Sequence, residues 1–396
     1  MNASNRLTDV TIFMSSIALS TALSTGLQPL LPYFIRGLGA TVEQVGLVLA
    51  LSRVMYLALS PIGGVLADLW GRKTVLVISP LVAGVAYLLL AESTDWPSSI
   101  IPLTLIMLPV ALTGPAVFAY IADLSSAEKY GRFYGLYFGV VNAATVVGYL
   151  IAGPLVEVSG YKAVFQVTAL TLLLSAALRI ALKETRTRKD YTTMDLSLLL
   201  KSSVKATSKG PLPALITLRS LNLAQIWVLT GIVIPLVARD VAQLSESDLT
   251  MMFAIESIVF ASLSTLGGKL VEGERWFLFI WLEIVLRSLS VLVLITISTW
   301  FGVLLALLLG SGLAIFIQPF VDSRTSAIVN GSIRGGVWGI QQLLYNASII
   351  VATYGASLVW DTLGYRIAIW FTMLLVMFMV PVFYQIRRRI TLADAR

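Results

Sequence analysis

Two ionisable side chains lie near the middle of long apolar segments of this chain. Arg53 falls in the segment 43–69, and Glu256 falls in the segment 247–271. A charge in such surroundings is costly, and in membrane proteins it usually marks a path for ions, protons or charged ligands. Three roles are open: the two residues bind an ionic substrate, Glu256 carries protons, or the two charges form a buried structural ion pair.

The residue types that the sequence lacks narrow the chemistry further. It has no cysteine and no histidine, which excludes disulfides, thiol ligands and cysteine nucleophiles. Any proton coupling must therefore use carboxylates. Asp68 and Asp123 lie at the ends of apolar segments beside basic residues, and no metal-ligand cluster accompanies them. We therefore predict no catalytic residues, no metal and no cofactor, and a protein that is not an enzyme.

The segments that carry these residues have the length and composition of membrane spans. Of the 396 residues, 57% are hydrophobic and only 12% are charged, whereas a soluble domain carries roughly 25% charged residues. A helix that crosses a bilayer needs about 20 apolar residues. Twelve such segments, which we number as spans one to twelve, occur at 9–36, 43–69, 74–92, 98–124, 131–157, 161–184, 213–238, 247–271, 275–298, 300–325, 332–360 and 365–387. The sequence therefore predicts an all-α membrane protein with twelve transmembrane helices.

The first six spans and the last six share landmarks at a fixed offset of 204 residues. The equivalent pairs are Gly64 and Gly268, Asp68 and Glu272, Pro115 and Pro319, Gly131 and Gly335, Gly135 and Gly339, Asn142 and Asn346. Internal repeats of this kind build many secondary transporters, which hold the substrate between two halves that rock against each other. We predict two pseudo-symmetric six-helix bundles, 1–190 and 211–396, and a central cytoplasmic loop, 191–210.

The basic residues are distributed unevenly between the two sides of the predicted membrane. If both termini are cytoplasmic, 20 of the 28 Lys and Arg residues fall in cytoplasmic segments and four fall within spans. Only Arg36, Lys162, Arg239 and Arg366 then lie outside. This asymmetry follows the positive-inside rule, so it predicts a multi-pass protein of the plasma membrane with both termini in the cytoplasm. The net charge of +7 then reflects topology, and we expect a lipid environment and no nucleic-acid partner.

A glycine-containing signature closes span two. It reads Gly64-Val-Leu-Ala-Asp68-Leu-Trp-Gly71-Arg72-Lys73. This order of glycine, aspartate, second glycine and two basic residues resembles the signature loop of the major facilitator superfamily. A degraded copy follows span eight, where Glu272 stands for the aspartate and Arg275 replaces the second glycine.

The family resemblance implies a gate built from these charges. Asp68 is expected to engage the start of span eleven near Ser332 when the cytoplasmic side is closed, and Arg72 is expected to pair with Asp123 at the end of span four. Arg132 lies in a second stretch that resembles the family's cytoplasmic link into span five. The residues predicted to act in conformational gating are Gly64, Asp68, Gly71, Arg72, Lys73, Asp123, Arg132 and Glu272.

Span five resembles the antiporter motif of the family's drug and metabolite efflux branch, with two departures. The spacing from Gly148 to Gly153 is one residue longer than in that motif, and Val156-Glu157 stands where two glycines are expected. In addition, span four has no basic residue, whereas the family's drug/proton antiporters carry an arginine there. Both departures distinguish this chain from classical drug/proton antiporters.

Polar residues on spans one, five and eleven are further candidates for substrate binding or proton coupling. They are Gln28, Asn142, Gln341, Tyr345 and Asn346. Such residues either line the central cavity or bond helices to each other. Glu283 and Arg287 stand four residues apart on span nine, a spacing that favours a structural ion pair. Arg219, about two turns into span seven, is expected to snorkel toward the membrane surface.

The leading hypothesis is a secondary transporter that moves a small organic solute by alternating access. We expect proton coupling, a monomer, and a preference for the efflux of amphipathic compounds, because the spans are apolar and contain aromatic residues. Uptake or facilitated diffusion of a metabolite or organic anion is the alternative within this class. A membrane sensor or accessory protein that does not transport is the alternative from another class, because a fold does not dictate its function.

Overall fold

The computed structural model describes residues 3–60, 69–124, 130–185, 202, 204–329 and 334–394. Every regular element in these residues is helical. A helix pairs its backbone N–H and C=O groups within one segment, which is what a chain crossing an apolar bilayer requires. The prediction of an all-α membrane fold is confirmed.

The helices of the first sequence half overlap the predicted spans. They are Ala3–Gly26, Leu31–Gly37, Val42–Leu59, Arg72–Ala91, Ile100–Leu124 and Tyr130–Ile180. Short 3-10 turns at Gln28–Leu30 and Pro97–Ser99 precede two of these helices. Both turns carry a proline in their first two positions, where a missing N–H group is of no consequence.

The helices of the second half are interrupted more often. They are Leu212–Val228, Ile234–Leu236, Glu246–Glu272, Trp276–Thr296, Trp300–Leu307, Ile317–Ile328, Arg334–Leu363 and Tyr365–Asp394. Span seven contains π-helical turns at Leu229–Val233 and Val237–Val241. Span ten contains a third, at Leu308–Gly312, and then leaves the helical path until Ile317. Such π-turns are frequent at functional sites.

Eleven helical runs in the described part of the chain are long and apolar enough to cross a membrane. One of them, Gly131–Ile180, has 50 residues, which is about 75 Å of helix against a hydrocarbon core of about 30 Å. Gly160 interrupts this run with a φ of 76°, a left-handed conformation that glycine adopts readily. The break falls where the sequence places the boundary between spans five and six. The count of twelve spans stays a prediction.

The chain divides into two compact units. The first consists of Met1–Ala40, Leu51–Lys189 and Ser245–Ala254, and the second of Thr41–Ala50, Asp190–Leu244 and Ile255–Arg396. Each unit therefore contains a short segment from the other sequence half. The domain limits 1–190 and 211–396 remain our proposal for the two repeats.

Each unit has its own apolar core. In the first unit, Phe13, Leu76 and Tyr120 are fully buried, and the rings of Phe13 and Tyr120 lie 5.2 Å apart between centroids. In the second unit, Trp276 stacks on Phe320 with 4.6 Å between ring centroids. These aromatic contacts fix the rotation of the helices that carry the polar residues described below.

Spans one and five approach each other closely in the first unit. A Cβ atom at Gly148 would overlap the carbonyl group of Ala22, and a Cβ atom at Gly26 would overlap the carbonyl group of Gly148. Small residues permit backbones to approach in this way, which favours helix association in a bilayer. Gly148 is therefore a packing residue of the first unit.

We predict that Gly148→Ala lowers the melting temperature of the detergent-solubilised protein, because the added methyl group must push span five away from Ala22. Overpacking of this kind costs about 1–3 kcal/mol. Gly139→Ala is the matched control on the same helix, because a Cβ atom there meets no atom within 4 Å. Thermal unfolding followed by tryptophan fluorescence checks the prediction, and equal melting temperatures for the two variants would contradict it.

Candidate functional site

Glu256 occupies a polar position inside an otherwise apolar helix, Glu246–Glu272, and is half-buried. Its Oε1 atom accepts a hydrogen bond from the Ser311 hydroxyl at 2.5 Å, and its Oε2 atom accepts one from the Ser257 hydroxyl at 3.3 Å. Within the described residues, Glu256 forms no ion pair. The partners of this carboxyl group are therefore hydroxyl groups, whereas the buried Glu283 has a cation and backbone N–H groups as partners.

The π-turn of span ten brings Ser311 to this carboxyl group. Ser311 and Gly312 are the last two residues before the helical path breaks, and a Cβ atom at Gly312 would lie 3.4 Å from Cγ of Glu256. The turn thus lies in van der Waals contact with span eight. Spans eight and ten together form the surroundings of Glu256 in the second unit.

Arg53, the other charge predicted near the centre of a span, is half-buried on the helix Val42–Leu59. It belongs to the first compact unit, whereas Glu256 belongs to the second. Whether the two residues pair or bind an ionic substrate stays a prediction.

The basic residues of the span-two signature lie at the start of the helix Arg72–Ala91. Arg72 forms an ion pair with Asp123, and its Nη1 atom also donates to the Ala119 carbonyl oxygen at 3.0 Å. The ion pair implied by the family resemblance is therefore present. The gating role of these residues stays a prediction.

Glu184 is a member of this cluster that the sequence did not indicate. Its Oε1 atom accepts the backbone N–H of Arg72 at 3.2 Å, and its Oε2 atom accepts that of Lys73 at 3.1 Å. A carboxylate at this position stabilises the positive end of the helix dipole and pairs N–H groups that have no partner within the helix. Gly71 precedes the helix with a φ of 94°, and a Cβ atom there would lie 2.5 Å from Glu184 Oε2.

The other predicted gating residues that the sequence names are either outside the described residues or exposed at helix ends. Gly64, Asp68 and Ser332 lie outside the described residues, so their predicted contact stays a prediction. Arg132 is exposed near the start of its helix, and Glu272 is exposed at the last residue of the helix Glu246–Glu272.

The polar candidates on span eleven are buried. Gln341 donates from Nε2 to the Thr325 hydroxyl at 3.4 Å, and Asn346 donates from Nδ2 to the Gln342 carbonyl oxygen at 2.7 Å. Tyr345 is 2% exposed, and its hydroxyl has no hydrogen-bond partner among the described residues. Gln341 thus joins spans ten and eleven by a hydrogen bond. The hydroxyl group of Tyr345 is buried without a hydrogen-bond partner among the described residues.

The two remaining polar candidates are exposed. Gln28 begins the 3-10 turn within span one, and Asn142 lies on span five. Their predicted role in substrate binding stays a prediction.

A buried network joins spans seven and nine in the second unit. Arg287 donates from Nη2 and Nε to Glu283 Oε1 at 2.8 and 3.1 Å, so the structural ion pair predicted from the spacing is confirmed. Arg287 also donates from Nη1 to Gln225 Oε1. Asn222 donates to Glu283 Oε1 at 3.0 Å and accepts from Arg219 Nη1 at 2.6 Å.

The prediction that Arg219 snorkels is wrong. Its side chain is only 7% exposed, because Asn222 lies one turn further along the same helix and accepts its hydrogen bond. The snorkelling rule considers only the distance to the membrane surface, and a partner inside the bundle overrides it.

Glu283 also caps the helix that follows the interruption of span ten. Its Oε2 atom accepts the backbone N–H groups of Phe316 and Ile317 at 2.7 and 2.8 Å, where the helix Ile317–Ile328 begins. A backbone N–H left unpaired in an apolar interior costs about as much as a lost hydrogen bond. Glu283 thereby stabilises the break that follows Ser311, and it helps to position the surroundings of Glu256.

Sequence comparison relates the chain to a large group of membrane proteins. A family model described as Major Facilitator Superfamily matches residues 13–272. The quinolone resistance protein NorA of Staphylococcus aureus is 27% identical over 131 residues, which cover 33% of this chain and 34% of NorA. The multi-drug resistance efflux pump PmrA of Streptococcus pneumoniae is 31% identical over 212 residues, which cover 47% of this chain and 52% of PmrA. The matched region thus spans between a third and about half of these relatives.

Solved structures share the fold over nearly the whole chain. A bacterial homologue of the human lysosomal transporter Spinster, in an inward-facing and unoccupied conformation, has a TM-score of 0.77 at 14% identity and covers 98% of both chains. A variant of the nucleoside transporter NupG has a TM-score of 0.78 at 12% identity and covers 96% of this chain and 99% of its own. At these identities the likeness shows the fold alone.

We predict that Glu283→Leu strongly destabilises the protein, because Arg287 loses its carboxylate partner and two backbone N–H groups lose their acceptor. Removal of one partner from a buried ion pair costs about 3–5 kcal/mol. Glu283→Gln keeps one acceptor oxygen, so its melting temperature should lie between those of Glu283→Leu and the wild type.

Thermal unfolding in detergent measures this order. Glu274→Gln, at an exposed position between spans eight and nine, is the control and should melt like the wild type. A Glu283→Leu variant that melts at the wild-type temperature would show that the network does not stabilise the fold.

Proposed function

This chain belongs to the Major Facilitator Superfamily, and from that premise we propose that it is a secondary transporter that exchanges protons for amphipathic organic solutes. In this proposal the solute leaves the cell and protons enter. The observation that carries the proposal is the Glu256 carboxyl group, which lies inside a span and whose hydrogen-bond partners are hydroxyl groups.

Hydroxyl partners suit a carboxyl group that changes its protonation state. Ser311 and Ser257 donate to the ionised carboxylate, and because a hydroxyl can also accept a hydrogen bond, either one can pair with the protonated form. A cation or a backbone N–H group would not permit this, because neither can accept. Among the buried and half-buried acids described above, Glu256 is therefore the one best suited to carry protons.

The same carboxyl group favours a class of solute. An ionised carboxylate inside a span is costly unless it is protonated or paired with a cation. A solute with a positive charge and an apolar body would replace the proton at Glu256 and would be released when the proton returns. We propose amphipathic organic cations as the main substrates, with Arg53 as the candidate site for a negatively charged group.

The named relatives support the direction of transport. One is called a quinolone resistance protein and the other a multi-drug resistance efflux pump. Efflux protects a cell from compounds that enter through its membrane, and such compounds are amphipathic. Each relative matches only part of this chain, so the substrate and the direction of transport are part of the proposal.

The remaining features of the proposal are topology and gating. We propose that both termini lie in the cytoplasm, because the basic residues are concentrated on that side, and that the chain works as a monomer. On the cytoplasmic side, the ion pair of Arg72 with Asp123 and the Glu184 cap hold the loop between spans two and three in place. From the family resemblance we further propose that Asp68 engages the start of span eleven when the cytoplasmic side is closed.

We predict that Glu256→Gln abolishes transport driven by a proton gradient, because glutamine cannot release a proton. Counterflow exchange should persist with a raised KM for the cation, because glutamine keeps the hydrogen bonds but lacks the negative charge. The measurement uses proteoliposomes and a radiolabelled lipophilic cation, tetraphenylphosphonium. Proton-driven transport is followed with an imposed pH gradient, and counterflow is followed without one.

Glu272→Gln is the matched control, because Glu272 lies at the exposed end of the same helix. It should retain both activities. Proton-driven transport that persists in Glu256→Gln would remove Glu256 from the coupling mechanism.

A further inference from the structure

Asp361 binds the start of a helix that is far away in the sequence. Its Oδ1 atom accepts the backbone N–H of Val42 at 3.2 Å, and its Oδ2 atom accepts that of Glu43 at 2.7 Å. Tyr354 also donates from its hydroxyl to Glu43 Oε1 at 2.8 Å. All of these residues belong to the second compact unit. The end of span eleven thus caps the first turn of span two, where a negative charge is favourable.

Glu157 makes the corresponding contact in the first compact unit. Its Oε1 atom accepts the backbone N–H of Ser247 at 2.8 Å, and Tyr161 donates from its hydroxyl to Glu246 Oε1 at 3.3 Å. The helix Glu246–Glu272 begins at this point. The end of span five therefore caps the first turn of span eight.

The two contacts are equivalent under the internal repeat. Positions 157 and 361 are 204 residues apart, and so are positions 43 and 247. Glutamate stands at one carboxylate position and aspartate at the other, so the chemistry recurs although the residue differs. Glu157 also occupies a place where the family's antiporter motif has glycine, which makes this cap a property of this chain.

Close backbone approach accompanies both caps. In the second unit, a Cβ atom at Gly46 would overlap the Ser357 side chain, and in the first unit, a Cβ atom at Gly153 would overlap the Thr250 side chain. Positions 46 and 250 are equivalent under the repeat, as are 153 and 357. In each contact a glycine faces a residue with a hydroxyl group. The glycine is on span two in the second unit and on span five in the first unit.

Both caps lie at the ends of spans that face away from the termini, which the charge distribution assigns to the outside. They are also the places where each compact unit takes in a segment of the other sequence half, Thr41–Ala50 in one unit and Ser245–Ala254 in the other. The carboxylates therefore hold spans of opposite halves together on the outer side.

We propose that Glu157 and Asp361 are a pair of latches that hold the outer side of the protein closed. Opening toward the outside would require each carboxylate to leave the helix start that it caps. This inference rests on the proposed function, because alternating access requires that side to open. Since each cap stabilises only the closed state, its removal shifts the population toward the open state.

The natural absence of cysteine allows a direct test in intact cells. Val45 and Thr250 are fully buried beneath the two latches, so Val45→Cys and Thr250→Cys report opening through their reaction with a membrane-impermeant maleimide. We expect Asp361→Ala to speed labelling at Val45→Cys about fivefold, and Glu157→Ala to do the same at Thr250→Cys, in line with the usual cost of a lost helix cap. The double variant should exceed both single variants, because the two caps share no residue.

Graded variants and controls separate a latch from a general loss of packing. Asp361→Asn keeps one acceptor oxygen, so its labelling rate should lie between those of the wild type and Asp361→Ala. Glu92→Ala removes an exposed carboxylate on the same side that pairs with Lys162, and it should leave labelling unchanged. A third reporter, Ala169→Cys, is fully buried on span six and should stay protected throughout.

Unchanged labelling at both reporters in the double variant would overturn the proposal, because the carboxylates would then be ordinary helix caps. Labelling that rises equally at Ala169→Cys would also overturn it, because the carboxylates would then stabilise the whole fold. The measurement needs neither substrate nor a proton gradient. Its failure can therefore be distinguished from a failure of proton coupling at Glu256.

Discussion

The first N–H groups of a helix have no partner within that helix, and each of them requires an acceptor from elsewhere. In this chain, carboxylates from distant spans meet that requirement at several places. Glu184 caps the helix that follows the span-two signature, Glu283 caps the second part of span ten, and Glu157 and Asp361 cap the starts of spans eight and two. The positions of the loops, the break in span ten and the outer contacts all depend on this constraint.

The surroundings of Glu256 differ from those of the four capping carboxylates. The capping carboxylates accept from N–H groups, which can only donate and therefore cannot pair with the O–H of a protonated carboxyl group. Glu256 instead accepts from Ser311 and Ser257, which can reverse the direction of their hydrogen bonds. We therefore propose that the capping acids hold the helices, whereas Glu256 changes its charge during a transport cycle. Glu283 links the two groups, since it stabilises the break next to Ser311.

Patterns within one segment predicted much of this arrangement. The length of the apolar segments predicted the helices. The i,i+4 spacing predicted the pair of Glu283 with Arg287, and the family signature predicted the pair of Arg72 with Asp123. The caps were not predicted, because each joins residues on different spans and depends on how the helices are rotated. Nothing near Glu184 in the sequence indicates that it binds the start of a helix more than a hundred residues earlier.

The most direct test of the account is the release of protons when a cation binds. Purified protein in weakly buffered detergent solution would be mixed with tetraphenylphosphonium, while a pH-sensitive dye reports released protons and equilibrium dialysis reports bound cation. We expect the wild type to release protons in proportion to the cation bound, and Glu256→Gln to release none for the cation it still binds. Equal release per bound cation from both proteins would contradict the assignment of Glu256 as the coupling group.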